Sequence, residues 1–117
     1  MYEYRATIQR VVDGDTVDCW IDLGFDTQVF KRVRFLGVNA PETRTRDKAE
    51  KELGLIAKNW LIEKLPVGSS CILQSHEYGK YGRVLGEIFI EKGSRKISIN
   101  KLMLDEGLVK EYDGGAR

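Results

Sequence analysis

Two carboxylates and an arginine stand on turn-like segments of this chain, a second arginine lies on the strand ahead of one of them, and their types are those that handle phosphate. In Arg34-Phe-Leu-Gly-Val-Asn-Ala-Pro-Glu42 an apolar strand runs out at Val38 and the chain turns sharply. Pro41 sets its own φ and pushes Ala40 toward extended geometry, so the corner is stiff and presents Glu42 at its end. Such a corner suits a catalytic acid or base, whose placement matters before its pKa. Val12-Asp13-Gly14-Asp15-Thr16-Val17 is a tight acidic turn between β-rich runs, and Gly79-Lys80-Tyr81-Gly82-Arg83 is a second turn carrying an arginine. Arg34 and Arg83 can grip phosphate through paired N–H donors, which a lysine does less well. Asp15 offers a hard oxygen ligand for calcium or magnesium. Each also has a plain reading: Asp15 as a turn residue, the arginines as surface charge, Glu42 as an exposed loop carboxylate.

Taken in this order and spacing, the three stretches resemble the staphylococcal (micrococcal) nuclease, or thermonuclease-like, family. The likeness runs from about Thr7 to Gly107 and takes in Leu53-Gly54, expected just before a helix, and Ile99-Asn100…Gly107-Leu108. The resemblance implies a catalytic set of Arg34, Glu42 and Arg83, with Glu42 deprotonating the attacking water. It implies a cation held by Asp15, by residue 39 and by the carbonyl of residue 40. Two positions depart from the family pattern. Asn39 stands where a second metal carboxylate is usual, and Ala40 where a threonine is usual. Asn39 keeps a carbonyl oxygen, but the cation loses a formal negative charge, so Mg²⁺ or Mn²⁺ joins the implied Ca²⁺ as a candidate. Gly79 replaces a frequent acidic residue. Lys80 and Tyr81 match the substrate-binding turn, Tyr81 lining the nucleotide pocket, and Tyr112 is a second candidate there. His76 is the only histidine, and neither the mechanism nor its strand-end position calls on it.

A chain of 117 residues makes one domain with a single core, residues 1–117. Its 42% hydrophobic and 32% charged residues are those of a globular protein. No apolar run approaches the ~20 residues of a membrane span, and Met-Tyr-Glu-Tyr-Arg lacks the pattern of a secretory leader. A cytoplasmic location is the expectation. A net charge of +1 counts mildly against nucleic-acid binding. Distribution matters more: Lys31, Arg32, Arg34, Arg44 and Arg46 crowd the proposed site, opposed there by Glu42 alone, although a solvated strand edge has the same composition. Cys19 and Cys71 lie in strand-like runs without metal-ligand spacing and read as reduced core residues.

These residues need a scaffold, and the pattern supplies one. Residues 3–12 alternate loosely as a strand. Asp13-Gly14-Asp15 reads as a turn in which Gly supplies a positive φ. Thr16 to Leu23 alternates cleanly, with Val17, Cys19, Ile21 and Leu23 facing one way. Gly24-Phe25-Asp26 loops to a third strand, Gln28 to Gly37, with Gly37 marking a bulge or close backbone approach. Residues 43–51 are open: Asp47 with Glu50 suits a capping box that starts a helix early, whereas the family likeness suggests an exposed loop. From Leu53 the helical stripe is Leu53, Ala57, Trp60 and Leu61, stopped by Pro66 and Gly68. Ser70–Gln74 and Val84–Ile90 are strands, Lys92-Gly93 a hairpin turn, and Asn100–Val109 a second helix. The expected fold is α+β and mainly β: a five-stranded OB-type barrel with one helix after the third strand and another near the C-terminus. The resemblance implies the same fold, and a further helix beyond it; without that helix, exposed apolar barrel surface leaves both a monomer and a homodimer open.

The reading that follows is a metal-dependent nuclease acting on DNA and RNA, with single-stranded substrate preferred and 3′-phosphate ends as the implied products. Its rival is a weak or inactive nuclease-like OB module that binds single-stranded nucleic acid or protein. Arg34, Glu42 and Arg83 together speak against the rival, because a binder has no use for a carboxylate beside phosphate.

Overall fold

Strict alternation of apolar and polar residues carries directly into strands here. The structure, a computed structural model, describes residues 2–78 and 84–112, with the main chain alone for 77 and 78. Strands β1 (Tyr2–Asp13), β2 (Thr16–Gly24) and β3 (Thr27–Phe35) form an antiparallel meander. There follow β4 (Val38–Asn39), α1 (Lys48–Lys64), β5 (Ser70–Tyr78), β6 (Val84–Lys92), β7 (Arg95–Ser98), α2 (Ile99–Asp105) and β8 (Lys110–Glu111). β1 is long enough to serve two partners, pairing β5 over Tyr2–Thr7 and β2 from Ala6 to Asp13. β5 pairs β6, and the first residues of β6 run parallel to the end of β3, Val33 opposite Val84 and Phe35 opposite Gly86. That last pairing closes a five-strand barrel in the order β3-β2-β1-β5-β6. With its two helices it is the OB-type α+β architecture. β7 extends β6 as a hairpin, and β4 pairs β8 in a two-residue ladder too short to leave a sequence signal.

The barrel interior is filled by the inward residues of every strand, among them Ile8, Val17, Cys19, Val33, Phe35, Leu73 and Ile88. Cys19 and Cys71 are both free and buried. Burial pushes each thiol up to about 12. Leu23, expected inward, is 46% exposed. The reason is that β1 stops pairing with β2 at Ile21, so β2 and β3 run on as a two-stranded ribbon.

At α1 the capping reading holds from Lys48 onward, and the loop reading holds only for residues 43–47. Asp47 is the N-cap, its carboxylate accepting from the Ala49 and Glu50 N–H groups, and the helix starts at Lys48. Leu53-Gly54 therefore lies inside the helix. The buried face is Gly54, Ala57 and Leu61, whereas Leu53 of the expected stripe is 57% exposed. A glycine marks the contact line because the helix comes within touching distance of main chain there, where a leucine has no room. Pro66 and Gly68 follow the C-cap, Leu65, as expected. α2 begins with Ser98 as N-cap and ends at Asp105, short of the expected Val109. Gly107 at φ 73° turns the chain, and Val109 drops into the core ahead of β8.

Candidate active site

The site is built where two turns meet the buried face of α1. The first is the β1–β2 turn, in which Asp13 pairs with Thr16 across Gly14 and Asp15. Gly14 does not adopt the left-handed backbone conformation expected of it; it supplies room. A Cβ there would stand 2.8 Å from the Cβ of Ala57 and 3.1 Å from that of Ala40. The second is the Asn39–Glu42 corner. A Cβ on Gly54 would stand 2.8 Å from the carbonyl oxygens of both Pro41 and Glu42. Helix α1 thus presses on both turns through positions that carry little or no side chain. Gly37, by contrast, meets no close neighbour, and its φ of 80° simply turns the chain after β3.

Asp15 ties the two turns together. Its Oδ1 accepts from the Thr16 hydroxyl at 2.9 Å and its Oδ2 from the Ala40 N–H at 2.9 Å. The Arg34 Nη2 lies 3.4 Å from the same Oδ2. Arg34 is 4% exposed; its Nη1 donates to the Phe35 carbonyl at 2.8 Å, and its Nη2 reaches Asn39 Oδ1 at 3.5 Å. A buried charge persists only with such partners. Strand register explains the meeting: Thr16 and Arg34 are cross-strand neighbours on the barrel's outer face. Glu42 is exposed at the rim, and the next residue anchors it, Thr43 donating its hydroxyl to Asp13 Oδ1 at 2.6 Å.

One open cleft of about 110 Å³ collects Asp13, Asp15, Thr16, Arg34, Asn39, Ala40, Pro41 and Glu42. Five of the residues singled out from the sequence, Asp15, Arg34, Asn39, Ala40 and Glu42, therefore share one wall. Lys80, Tyr81 and Arg83 lie outside the described residues. Tyr112 does not line the cleft; its N–H donates to the Gly37 carbonyl at 2.9 Å, beside β4. The expected basic crowd is divided. Lys31 alternates to the other side of β3 from Arg32 and Arg34, and the opposing carboxylates include Asp15 and Asp18 as well as Glu42. Asp13 and Thr16 line the cleft although the sequence reading passed over them. Register puts them there: Asp13 pairs Thr16 and Thr16 pairs Arg34, so the three share one face.

The described wall of the cleft holds three carboxylates against one guanidinium. That balance repels a phosphate and attracts a cation. The donors at the meeting point of the turns are oxygens, the kind that hard cations take: the Asp15 carboxylate, the Asn39 amide oxygen and the main chain at Ala40. Among the described residues, no group of three or more His, Cys, Asp or Glu is close enough to enclose a metal ion. The cleft thus fits a divalent ion in donor type, with one carboxylate contributing most of the charge.

A closed OB-type barrel with an acidic turn, an arginine and an X-Pro-Glu corner on one wall defines the class of domain. Residues 32–115 match the staphylococcal nuclease homologue family, and the chain belongs to that family. It is 31% identical to the endonuclease YhcR of Bacillus subtilis (strain 168) over 94% of its own length and 9% of that protein's. It is 24% identical to an uncharacterised endonuclease of Escherichia coli, over 95% of this chain and 63% of that one. With protein ParB of Escherichia coli it shares 26% identity over 94% of this chain and 58% of that one. The chain therefore spans less than two-thirds of the length of each of these relatives.

Proposed function

We propose that this chain is a divalent-metal-dependent nuclease domain that hydrolyses phosphodiester bonds of DNA and RNA, prefers single strands, uses Ca²⁺ and leaves 3′-phosphate ends. The observation that carries the reading is the convergence of Asp15, Arg34 and Glu42 on one cleft from two separate turns. Nucleases of this family are generally divalent-metal dependent, and the acid-rich cleft gives this chain a physical reason to be so.

In this reading Asp15, Asn39 and the Ala40 carbonyl hold the ion, which when bound neutralises charge on the phosphoryl oxygens. Glu42, exposed at the rim, accepts the proton of the attacking water. The new bond joins that water oxygen to phosphorus, and the bond to the 5′-oxygen breaks, that oxygen taking a proton from solvent to leave as a hydroxyl, so the phosphate stays on the 3′ side. Arg34 donates N–H groups to the phosphoryl oxygens as charge builds on them. Its burial and its contacts with Asp15 and the Phe35 carbonyl hold it in place beforehand. Arg83 fills the second guanidinium role.

Incubating the protein with a single-stranded oligonucleotide in Ca²⁺, Mg²⁺, Mn²⁺ or chelator tests this directly, with phosphatase sensitivity of the new ends identifying the product. Cleavage in Ca²⁺ that stops in chelator is the expected result. Binding without cleavage in every ion would leave only the rival binding module. Asn39→Asp tests the ion site further: an added carboxylate raises the charge of the ligand set, so calorimetric Ca²⁺ affinity should rise about tenfold. Equal affinities would mean that residue 39 is not a ligand.

A further inference from the structure

The cleft does not end at Arg34. Along the outer face of β2 and β3, the Thr16–Arg34 pair is followed by Asp18 opposite Arg32 and then Trp20 opposite Phe30. Each step is two residues, so the aromatic pair lies about 13 Å from the cleft pair. Trp20 and Phe30 are 39% and 47% exposed, packed edge to face with ring centroids 5.2 Å apart. The indole N–H donates to Gln9 Oε1 at 3.2 Å, which fixes the ring while leaving its surface open. Between cleft and aromatics sits Asp18, only 4% exposed although on the outer face. Arg32 meets it with two N–H groups, at 2.8 and 3.2 Å, and Arg10 with one at 3.4 Å. Two cations thus meet one carboxylate, with Asp13 acting on Arg32 from the cleft side and Asp22 two residues beyond Trp20 on the same face. The Arg10 and Arg32 side chains remain 61% and 44% exposed, and each guanidinium has five donors, so N–H groups are left for another anion.

Ordered guanidiniums followed by an exposed aromatic pair are what a single strand needs, since the first grip backbone phosphates and the second stacks bases. We propose that this outer face of β2 and β3 is an extension of the substrate site that carries the strand away from the cleft, with Arg10 and Arg32 on phosphates and Trp20 and Phe30 against bases. The proposal rests on the nuclease reading for the identity of the occupant. Continuity with the cleft and exposed guanidinium N–H groups beside exposed rings select a nucleic acid strand over an apolar partner.

The test uses the Trp60→Phe protein, in which Trp20 is the sole tryptophan, titrated in chelator so that nothing is cut. Stacking of a base on Trp20 quenches its fluorescence. An oligonucleotide of about a dozen residues, within the site sizes such surfaces take, should quench, and a dinucleotide, long enough only for the cleft, should not. In the cutting assay, Trp20→Ala and Phe30→Ala should each raise KM for the long substrate about tenfold. Both should leave kcat and the KM of the dinucleotide unchanged, and both should keep the parent Tm. Arg10→Ala should raise the same KM and flatten its salt dependence. Absence of quenching by the long strand, or equal KM changes on long and short substrates, overturns the proposal while leaving the nuclease reading standing. Absence of cleavage with quenching intact removes the nuclease reading and keeps the strand-binding face.

Discussion

β2 ends in two turns that have little in common. At its start, Gly14 and Asp15 are buried beneath α1, with ordinary backbone angles and a network of hydrogen bonds. At its end, Phe25 and Asp26 both sit in the left-handed region, at φ 55° and 60°, and Phe25 is fully exposed at 101%. Positive φ at both positions is the requirement of a type I′ hairpin, which usually selects Asn-Gly. The exposed turn thus carries backbone strain that little packing relieves. The packed turn is free of it and holds a buried ion pair instead. Strain and buried charge are both tolerated in this domain, but at opposite ends of one strand, and only the packed end has neighbours able to hold a reacting geometry.

The largest effect should come from breaking the packed end. Arg34→Ala removes the guanidinium beside Asp15, and kcat should fall about 10²- to 10³-fold. Stability should fall too, by about 3 kcal/mol, because a carboxylate in a buried site loses its charged partner. Denaturant titration beside an activity assay checks both. An active, equally stable variant would place the chemistry elsewhere.

Alkaline pH strains the barrel wall between the two turns. The Cys19 and Cys71 thiols are raised in the folded state, so the stability they contribute is full below about pH 9 and is lost as pH rises toward about 12. At pH 10 the loss should approach 1.4 kcal/mol per thiol. A Cys19→Ala, Cys71→Ala protein should show a flatter decline in Tm from pH 8 to 11; an identical decline would assign the alkaline loss to other groups.

Gly54→Ala sharpens the comparison by disturbing the support of the site and none of its reactive groups. The methyl meets two main-chain oxygens on the Glu42 corner, an overpacking of roughly 1–3 kcal/mol. Alanine's better helix propensity offsets up to about 1 kcal/mol of that. Activity should drop while Ala49→Gly, on the exposed side of the same helix, leaves it unchanged.

The smallest change should come from the other turn. Replacing Phe25→Asn and Asp26→Gly together should stabilise by about 1 kcal/mol, since both residues tolerate positive φ. Chemical denaturation measures it. Activity should not move, and a gain in stability accompanied by lost activity would mean that the far turn also serves the site.

Much of this protein was determined by its sequence alone. Period-two runs around Val17, Cys19 and Ile21 set a strand's inner face, because a strand's pleat leaves no other way to bury them. Asp47 offered a helix start by way of a capping box, but the sequence left residues 43–51 open, and the structure decided for the cap. The residue types at Asp15, Arg34 and Glu42 allowed phosphate chemistry, and it was the family resemblance of the stretches carrying them that implied it. Other features depended on contacts between segments distant in the chain. The face on which α1 packs was decided by the backbone of residues 41 and 42, which no helical period can reveal, so the apolar stripe points to Leu53 where Gly54 packs. Gly14 is a glycine because Ala57 and Ala40 crowd it, whereas the Asp-Gly-Asp pattern suggested only a turn angle. The β4–β8 pairing rests on two residues a side. Local propensity determines which segments are strands and helices; close packing between them decides which face is turned inward and how near two turns can come.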